Sequence, residues 1–454
     1  MRFIVTIGLS AILASLAACG DVAPTTSNAS AHGRDSTTRV NDSCSIALTA
    51  HQGEDATDRE IARFQSLAHR NQNPIPYLER LGWAYIAKAR TSFDPGYYKL
   101  AEQTAFCIDT NQPGASEGLL LHGHVQHQLH AFSDAEAIGR KLVSQRGLWF
   151  DHALLGDALM EQGKLAEAIP VYQHMIDLRP GPHAYARVAH VRWLKGDLAG
   201  AMELMEMAAH ANGERDREST AWSYVRLALY AMQAGNTQAA SSYVEAALSM
   251  RPDYAPALLV RGRMLLASGE IAEAIAALTH AARSDPLPEY QWALVEALRE
   301  NGQADQATDI EDALMARGAM DDPRTFSLYL ATVGRDLSTA LRLAREEMTR
   351  RADVFTADAL AWALHAAGQD TEARQWMQRA LAEGTQDARL FLHAGVIAAR
   401  AGQAQDAAKR LEQASAQKQM LLPSERAQLT AAIAALHIPV ATKVSAHADH
   451  SQLN

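Results

Sequence analysis

Small apolar residues recur along this chain on a fixed count. One series runs Ala101, Ala135, Ala168, Ala201, Ala240, Ala274, Ala307, Ala340, Ala373 and Ala407, in steps of 33 or 34 with a single step of 39. Five residues before these alanines stand Gly163, Gly196, Gly235, Gly269, Gly302, Gly368 and Gly402, with Arg335 the one interruption from 163 onward. Seven residues earlier again lie Gly123, Gly156, Ala189, Ala228, Gly262, Ala361 and Gly395, with Leu328 as the larger exception. A small residue inside a first helix lets a neighbouring helix close in. The glycine supplies the positive φ that ends that helix, the alanine opens a second one, and Pro180, Pro252 and Pro286 stop it. Each period is therefore an αα-hairpin, which buries its face only by stacking on neighbours.

These three series in phase resemble the tetratricopeptide repeat, and residues 149–180 and 255–286 follow its pattern almost position for position. The resemblance covers about ten units over residues 77–423 and implies an all-α fold, a right-handed superhelical α-solenoid of stacked helix-turn-helix repeats. The unit at 321–352 departs most. Residues 58–76 read as an N-terminal capping helix, with Ile61, Phe64 and Leu67 on one side, and 424–436 as a C-terminal cap. Two insertions are expected as loops: one around Thr91–Gly96, the other a polar stretch from Asn212 to Ser219. At roughly 10 Å per stacked hairpin, ten units predict a rod on the order of 100 Å long.

Relatives with this repeat present a groove lined by their first helices and bind peptides or proteins in it. Register from the alanines places Trp83, His124, His127, Met160, His190, Trp193, Trp222 and Met232 on that face, followed by Arg263, Trp292, Glu296, Arg299, Tyr329, Trp362, His365 and Arg400. Trp, Tyr and Arg dominate interface energetics, and aromatics are only 6% of the chain, so their concentration here favours a binding groove. Some, Trp222 and Trp292 among them, could equally pack between helices.

The N-terminus adds an address. Residues 1–18 form a lipoprotein signal peptide: Arg2, then a short apolar run ending in small residues. Leu16-Ala17-Ala18-Cys19-Gly20 resembles the lipobox of bacterial lipoproteins, which implies acylation of Cys19. Gly20, rather than Asp, follows the cysteine, and within that family this implies an outer-membrane lipoprotein facing the periplasm more than an inner-membrane one. Residues 19–57 read as a flexible tether and 437–454 as a disordered tail. Removing residues 1–18 takes away Arg2 and leaves 41 basic against 52 acidic residues, a net charge of −11. That excess argues against nucleic acid and leaves lipid alone to hold the chain at a membrane. Cys44 and Cys107 either pair in an oxidising compartment or remain independent thiols.

Two familiar catalytic signatures are absent from the sequence: there is no His-Glu-x-x-His and no phosphate-cradling Gly-Lys-Ser/Thr. The repeats leave no stretch for a separate catalytic domain. His124, His127 and His130 follow one another at three-residue steps and are weak candidates for metal ligands. The sequence thus predicts a non-catalytic scaffold without a cofactor or a small-molecule substrate, binding another envelope protein or peptide segment. An envelope metal-handling protein using the histidines is the second reading, and an accessory enzyme of cell-wall or polysaccharide metabolism the third.

Overall fold

The computed structural model describes residues 43–92 and 94–437, apart from the side chains of Glu214, Arg215 and His437. The expected signal peptide with Cys19, residues 19–42 of the expected tether and 438–454 of the expected tail lie outside the described residues. Those described contain helices and no strand. A first helix, α1 (Ala56–Arg70), is followed by pairs that make the units: α2 (Ile75–Ser92) with α3 (Gly96–Asn111), α4 (Ser116–Gln128) with α5 (Phe132–Gln145), α6 (Trp149–Glu161) with α7 (Leu165–Leu178), and α8 (Pro182–Leu194) with α9 (Leu198–Asn212). The series continues as α10 (Arg217–Gln233) with α11 (Thr237–Met250), α12 (Ala255–Ser268) with α13 (Ile271–Ser284), and α14 (Pro288–Glu300) with α15 (Ala304–Asp321). It ends as α16 (Pro323–Val333) with α17 (Leu337–Arg350), α18 (Val354–Ala366) with α19 (Asp370–Ala380), and α20 (Ala388–Arg400) with α21 (Ala404–Ala416), before the closing helix α22 (Pro423–His437). We number the pairs as units 1 to 10.

The small residues act as their spacing requires. All ten alanines of the first series are at most 1% exposed. A Cβ on Gly156 would lie 2.5 Å from the Tyr172 ring, and one on Gly262 would lie 2.4 Å from Leu278, both on the second helix of the same unit. The seven turn glycines have φ between 71° and 87°, a region costly for any residue with a side chain. Helices α7, α11 and α13 end two residues before Pro180, Pro252 and Pro286. Unit 8 solves its missing glycine by shifting the turn: Gly334, one residue early, takes φ 68°, and Asp336 is driven to φ 38° while capping Thr339.

Several expectations need correction. The polar stretch from Asn212 to Ser219 is not a loop: α9 runs to Asn212, a 3-10 turn covers Gly213–Asp216, and Asp216 caps α10. Around Thr91–Gly96 the two helices extend until three residues separate them. The end of the expected tether is docked. Residues 43–47 are helical, Ala47 is fully buried, and its carbonyl accepts from Tyr85 Oη at 2.8 Å. Cys44 and Cys107 are joined, Sγ to Sγ at 1.97 Å, stapling this segment to α3. Asp55 and Asp58 box the start of α1, and Lys88 bridges both carboxylates at 2.6 and 2.7 Å.

The largest departure is in the path of the superhelix, which is not an open rod. Its late units turn back onto the early ones. Beside the unit 3 turn, Gly163 packs against the Ala352 carbonyl, and Arg351 pairs with Glu161 at 2.7 Å. At unit 4, Thr385 donates to the Leu194 carbonyl at 2.6 Å, and Lys195 pairs with Glu383. Gln233 of unit 5 bonds the Gln386 carbonyl, and Gln419 donates to the Met232 carbonyl at 2.7 Å. The segment after unit 10 continues the closure: Arg263 donates to the Met420 carbonyl at 2.5 Å and Ser424 Oγ to Glu296 at 2.5 Å. Tetratricopeptide-like stacking sets each local step, whereas these ties set the global curvature.

Candidate binding cavity

Closure turns the expected groove into a partly enclosed cavity of about 350 Å³. Of the residues that register assigned to the groove, Trp83, His124, His127, Met160, His190, Trp193, Trp222, Arg263 and Trp292 line it.

Arg299, Tyr329, Trp362 and His365 do not line the cavity. Glu311, 6% exposed, draws Arg299 (2.6 Å), Arg335 (3.0 Å) and the Tyr329 hydroxyl to itself. A carboxylate removed from water needs such partners, so these side chains turn toward α15. Trp362 stacks on His393 of the next unit, ring centroids 4.1 Å apart, and donates to Thr332 Oγ1 at 3.1 Å. His365 and Arg400 both bind Asp370, at 2.8 and 3.2 Å. Met232, 2% exposed, belongs to the core. Glu296 is held by Trp292 Nε1 at 3.0 Å and by Ser424.

Spacing missed the residues that the late units bring in. Arg324, Phe355, Asp358 and Arg389 stand near the starts of their first helices, not at the register positions, and reach the cavity because units 8–10 have turned inward. Phe355 stacks on Trp193 at 5.5 Å across this seam. Arg226 was legible: it lies one helical turn after Trp222 on the same face of α10.

The cavity's charges are mostly paired. Arg187, 1% exposed, binds Asp157 through Nε (2.8 Å) and Nη2 (2.6 Å), and the Tyr172 hydroxyl donates to the same carboxylate at 2.8 Å. Arg324 meets Asp353 at 3.0 Å and Arg263 meets Glu289 at 3.5 Å. Arg389 pairs with Glu425, which is fully buried, and also lies 5.0 Å over the Trp292 ring. The surroundings of the histidines disfavour their charged form. Burial first, then nearby arginines, pushes His190 down to about 3 and takes His124 well below the usual histidine range. His127 is lowered too, chiefly by burial.

These histidines do not converge on a metal. His124 Nε2 lies 3.0 Å from Arg90 Nη2. A guanidinium only donates, so the imidazole lone pair is already engaged. His130, at φ 60°, stacks on Phe132 instead, with centroids 5.2 Å apart. Among the described residues no three histidine, cysteine or carboxylate side chains come together as a metal set.

Residues 153–216 and 231–298 match family models described as the tetratricopeptide repeat. No curated protein matches the chain in sequence. Among solved structures, human IFIT1, a dimer with PPP-AAAA, is similar at 13% identity over 83% of this chain and 98% of its own, with a TM-score of 0.45. The APC/C hetero-tetramer Cut9-Hcn1 is similar at 13% identity over 86% and 98%, with a TM-score of 0.36. Yeast Tom70 is similar at 13% over 84% and 96%, with a TM-score of 0.34. The two matched stretches fall on units 3 and 4 and on units 5 to 7, inside a run of like helix pairs on either side. The chain is an α-solenoid, two stretches of which match the tetratricopeptide repeat.

Proposed function

We propose that this chain is a non-catalytic protein-binding scaffold, held by an N-terminal lipid in the bacterial cell envelope. The observation that carries the reading is the inner face of units 1 to 3. There Trp83 and Phe150 line the cavity while staying partly exposed, and solvent-facing aromatics of this kind anchor protein interfaces. A short extended segment of another envelope protein suits this face. Pull-down from detergent-solubilised envelope tests the reading. The intact protein should recover a partner that the double variant Trp83→Ala, Phe150→Ala loses; equal recovery by both, or none by either, rejects it.

The lipid belongs to the same proposal. Its support is the Leu16–Gly20 lipobox pattern, together with the absence, among the described residues, of any helix long and apolar enough to cross a membrane. Labelled palmitate should enter the wild-type chain and not Cys19→Ser. Sucrose-gradient fractionation should find the acylated chain in the outer membrane, facing the periplasm.

A further inference from the structure

The stretch after unit 10 lies in the groove. Spacing assigned Arg263, Trp292 and Glu296 to that face, and residues 417–437 now cover it. Arg263 donates to the Met420 carbonyl at 2.5 Å. Glu296 accepts from Ser424 twice, from Oγ at 2.5 Å and from the main-chain N–H at 3.0 Å. Glu425, fully buried, pairs with Arg389, whose guanidinium lies 5.0 Å over the Trp292 ring. Farther along, Arg426 donates to the Leu266 carbonyl and Gln428 to the Thr332 carbonyl, each at 3.3 Å. All of these partners stand on first helices, those of units 6, 7, 8 and 10. In a stack where each unit meets only its neighbours, a helix that merely capped the last unit would stop at unit 10. Helix α22 spans the concave face as well.

We infer that the face formed by units 6 to 8 and 10 is a docking surface for an amphipathic helix, and that α22 is its intramolecular occupant, which a partner's helix displaces. The seated segment gives the chemistry required. Ser424 and Gln428, one turn apart, reach units 7 and 8. Glu425 and Leu429, on the adjacent row, reach unit 10, Leu429 in one apolar cluster with Phe391 and Leu392. A replacement needs a hydroxyl donor, a carboxylate one residue later and a leucine four residues beyond that. The carboxylate is selected most strictly, because a covered guanidinium left without its counter-charge is costly. The hold on α22 itself is mostly polar. Through Leu436 only Pro423, Glu425 and Leu429 are buried, against ten buried residues in α14. Hydrogen bonds exchanged for water change stability little, and an element with few buried contacts opens while the rest stays folded. Met420 and Leu422 wall the cavity, so lifting the segment joins this face to the space already described. The inference goes beyond the scaffold reading and does not depend on it, because Trp83 and Phe150 belong to units 1 and 3.

Two measurements on the purified full chain test it. In the wild type, amide exchange should release α22 well before α14 and α20 beneath it. The second uses a labelled synthetic peptide of residues 417–437, followed by fluorescence anisotropy. An occupant tethered to the same chain has an effective concentration on the order of millimolar, so the wild type should bind the peptide weakly. Full-length Glu425→Arg, whose own helix Arg389 repels, should bind it saturably and at least ten-fold more tightly. The peptide carrying Glu425→Gln should lose at least ten-fold on the same variant. Leu429→Ser frees the face by removing the apolar anchor and serves if Glu425→Arg fails to fold. The inference is overturned if α22 exchanges only together with α14 and α20, if the peptide binds neither variant or binds wild type equally well, or if the Glu425→Gln peptide binds as tightly as the native one. Any of these results leaves the pull-down with Trp83 and Phe150 untouched.

Discussion

Thr385 donates its hydroxyl proton to the carbonyl of Leu194 at 2.6 Å, across 191 residues of sequence. Thr385 is 1% exposed, so its bond closes the superhelix in a place water does not reach. Valine matches its shape and lacks the donor. Thr385→Val should cost about 1–2 kcal/mol, as expected for a buried acceptor left without its partner. Amide exchange should speed up around the unit 4 turn and the start of α20 more than in units 1 and 2. Uniform acceleration along the chain would mean that the bond is not part of a closure.

Asp285 gives a pH dependence with a defined sign. Burial first, and the nearby Glu289 charge second, pushes its carboxyl up to about 7, whereas an unfolded chain holds it near 3.9. Below pH ~4 both states keep the proton and nothing is lost. Between pH ~4 and ~7 the unfolded chain ionises while the fold does not, so stability falls as pH rises and then levels off. Asp285→Asn should remove a penalty on the order of 4 kcal/mol at pH 8 and almost none at pH 4. Thermal melts of both proteins across that interval check it; an equal difference at the two ends would refute the assignment.

The Cys44–Cys107 bridge closes a loop with a sequence separation of 63. Loops of that length contribute about 4 kcal/mol in the chain-entropy model. Reduction, or Cys44→Ser, should therefore lower the melting temperature of the mature chain and raise proteolysis around residues 43–57. Thiol titration of the unreduced, unfolded protein should find neither cysteine reactive. Two reactive thiols with an unchanged melting point would remove the staple.

Gly156 and Gly181 make a matched pair. A methyl on Gly156 meets the Tyr172 ring at 2.5 Å, and that ring's hydroxyl serves Asp157. Gly181 has open space around it and an extended φ of 165°. Gly156→Ala should lose about 1–3 kcal/mol, and Gly181→Ala should stay within about 0.5 kcal/mol of wild type. Denaturant midpoints measure both.

What the sequence revealed was local. The alanines, turn glycines and prolines report contacts made within a few tens of residues, and each of those contacts repeats. Unit 8 was legible as a departure, although not in its remedy at Gly334. Closure left no comparable trace, because many of its ties end on main-chain carbonyls such as those of Leu194, Gln386 and Met420, which any residue could supply. For the same reason Trp222 and Trp193 could be placed on the inner face, while Phe355 and Arg389 opposite them could not. Trp362 and Tyr329 were misassigned because neighbouring polar groups, Thr332 and Glu311, decide where their polar atoms go.

The closure also changes how such a chain unfolds. An open array of repeats frays from either end and loses its units nearly one at a time, since each depends only on its neighbours. Here units 3 to 6 are bonded to residues some 150 to 190 positions later, so the late units cannot peel away without exposing the early ones. Melting should gain the all-or-none character of a globular domain. Folding should slow accordingly, because contacts so distant in sequence carry a large loop-closure cost. During synthesis the early units wait for the last part of the chain before their inner face is sealed.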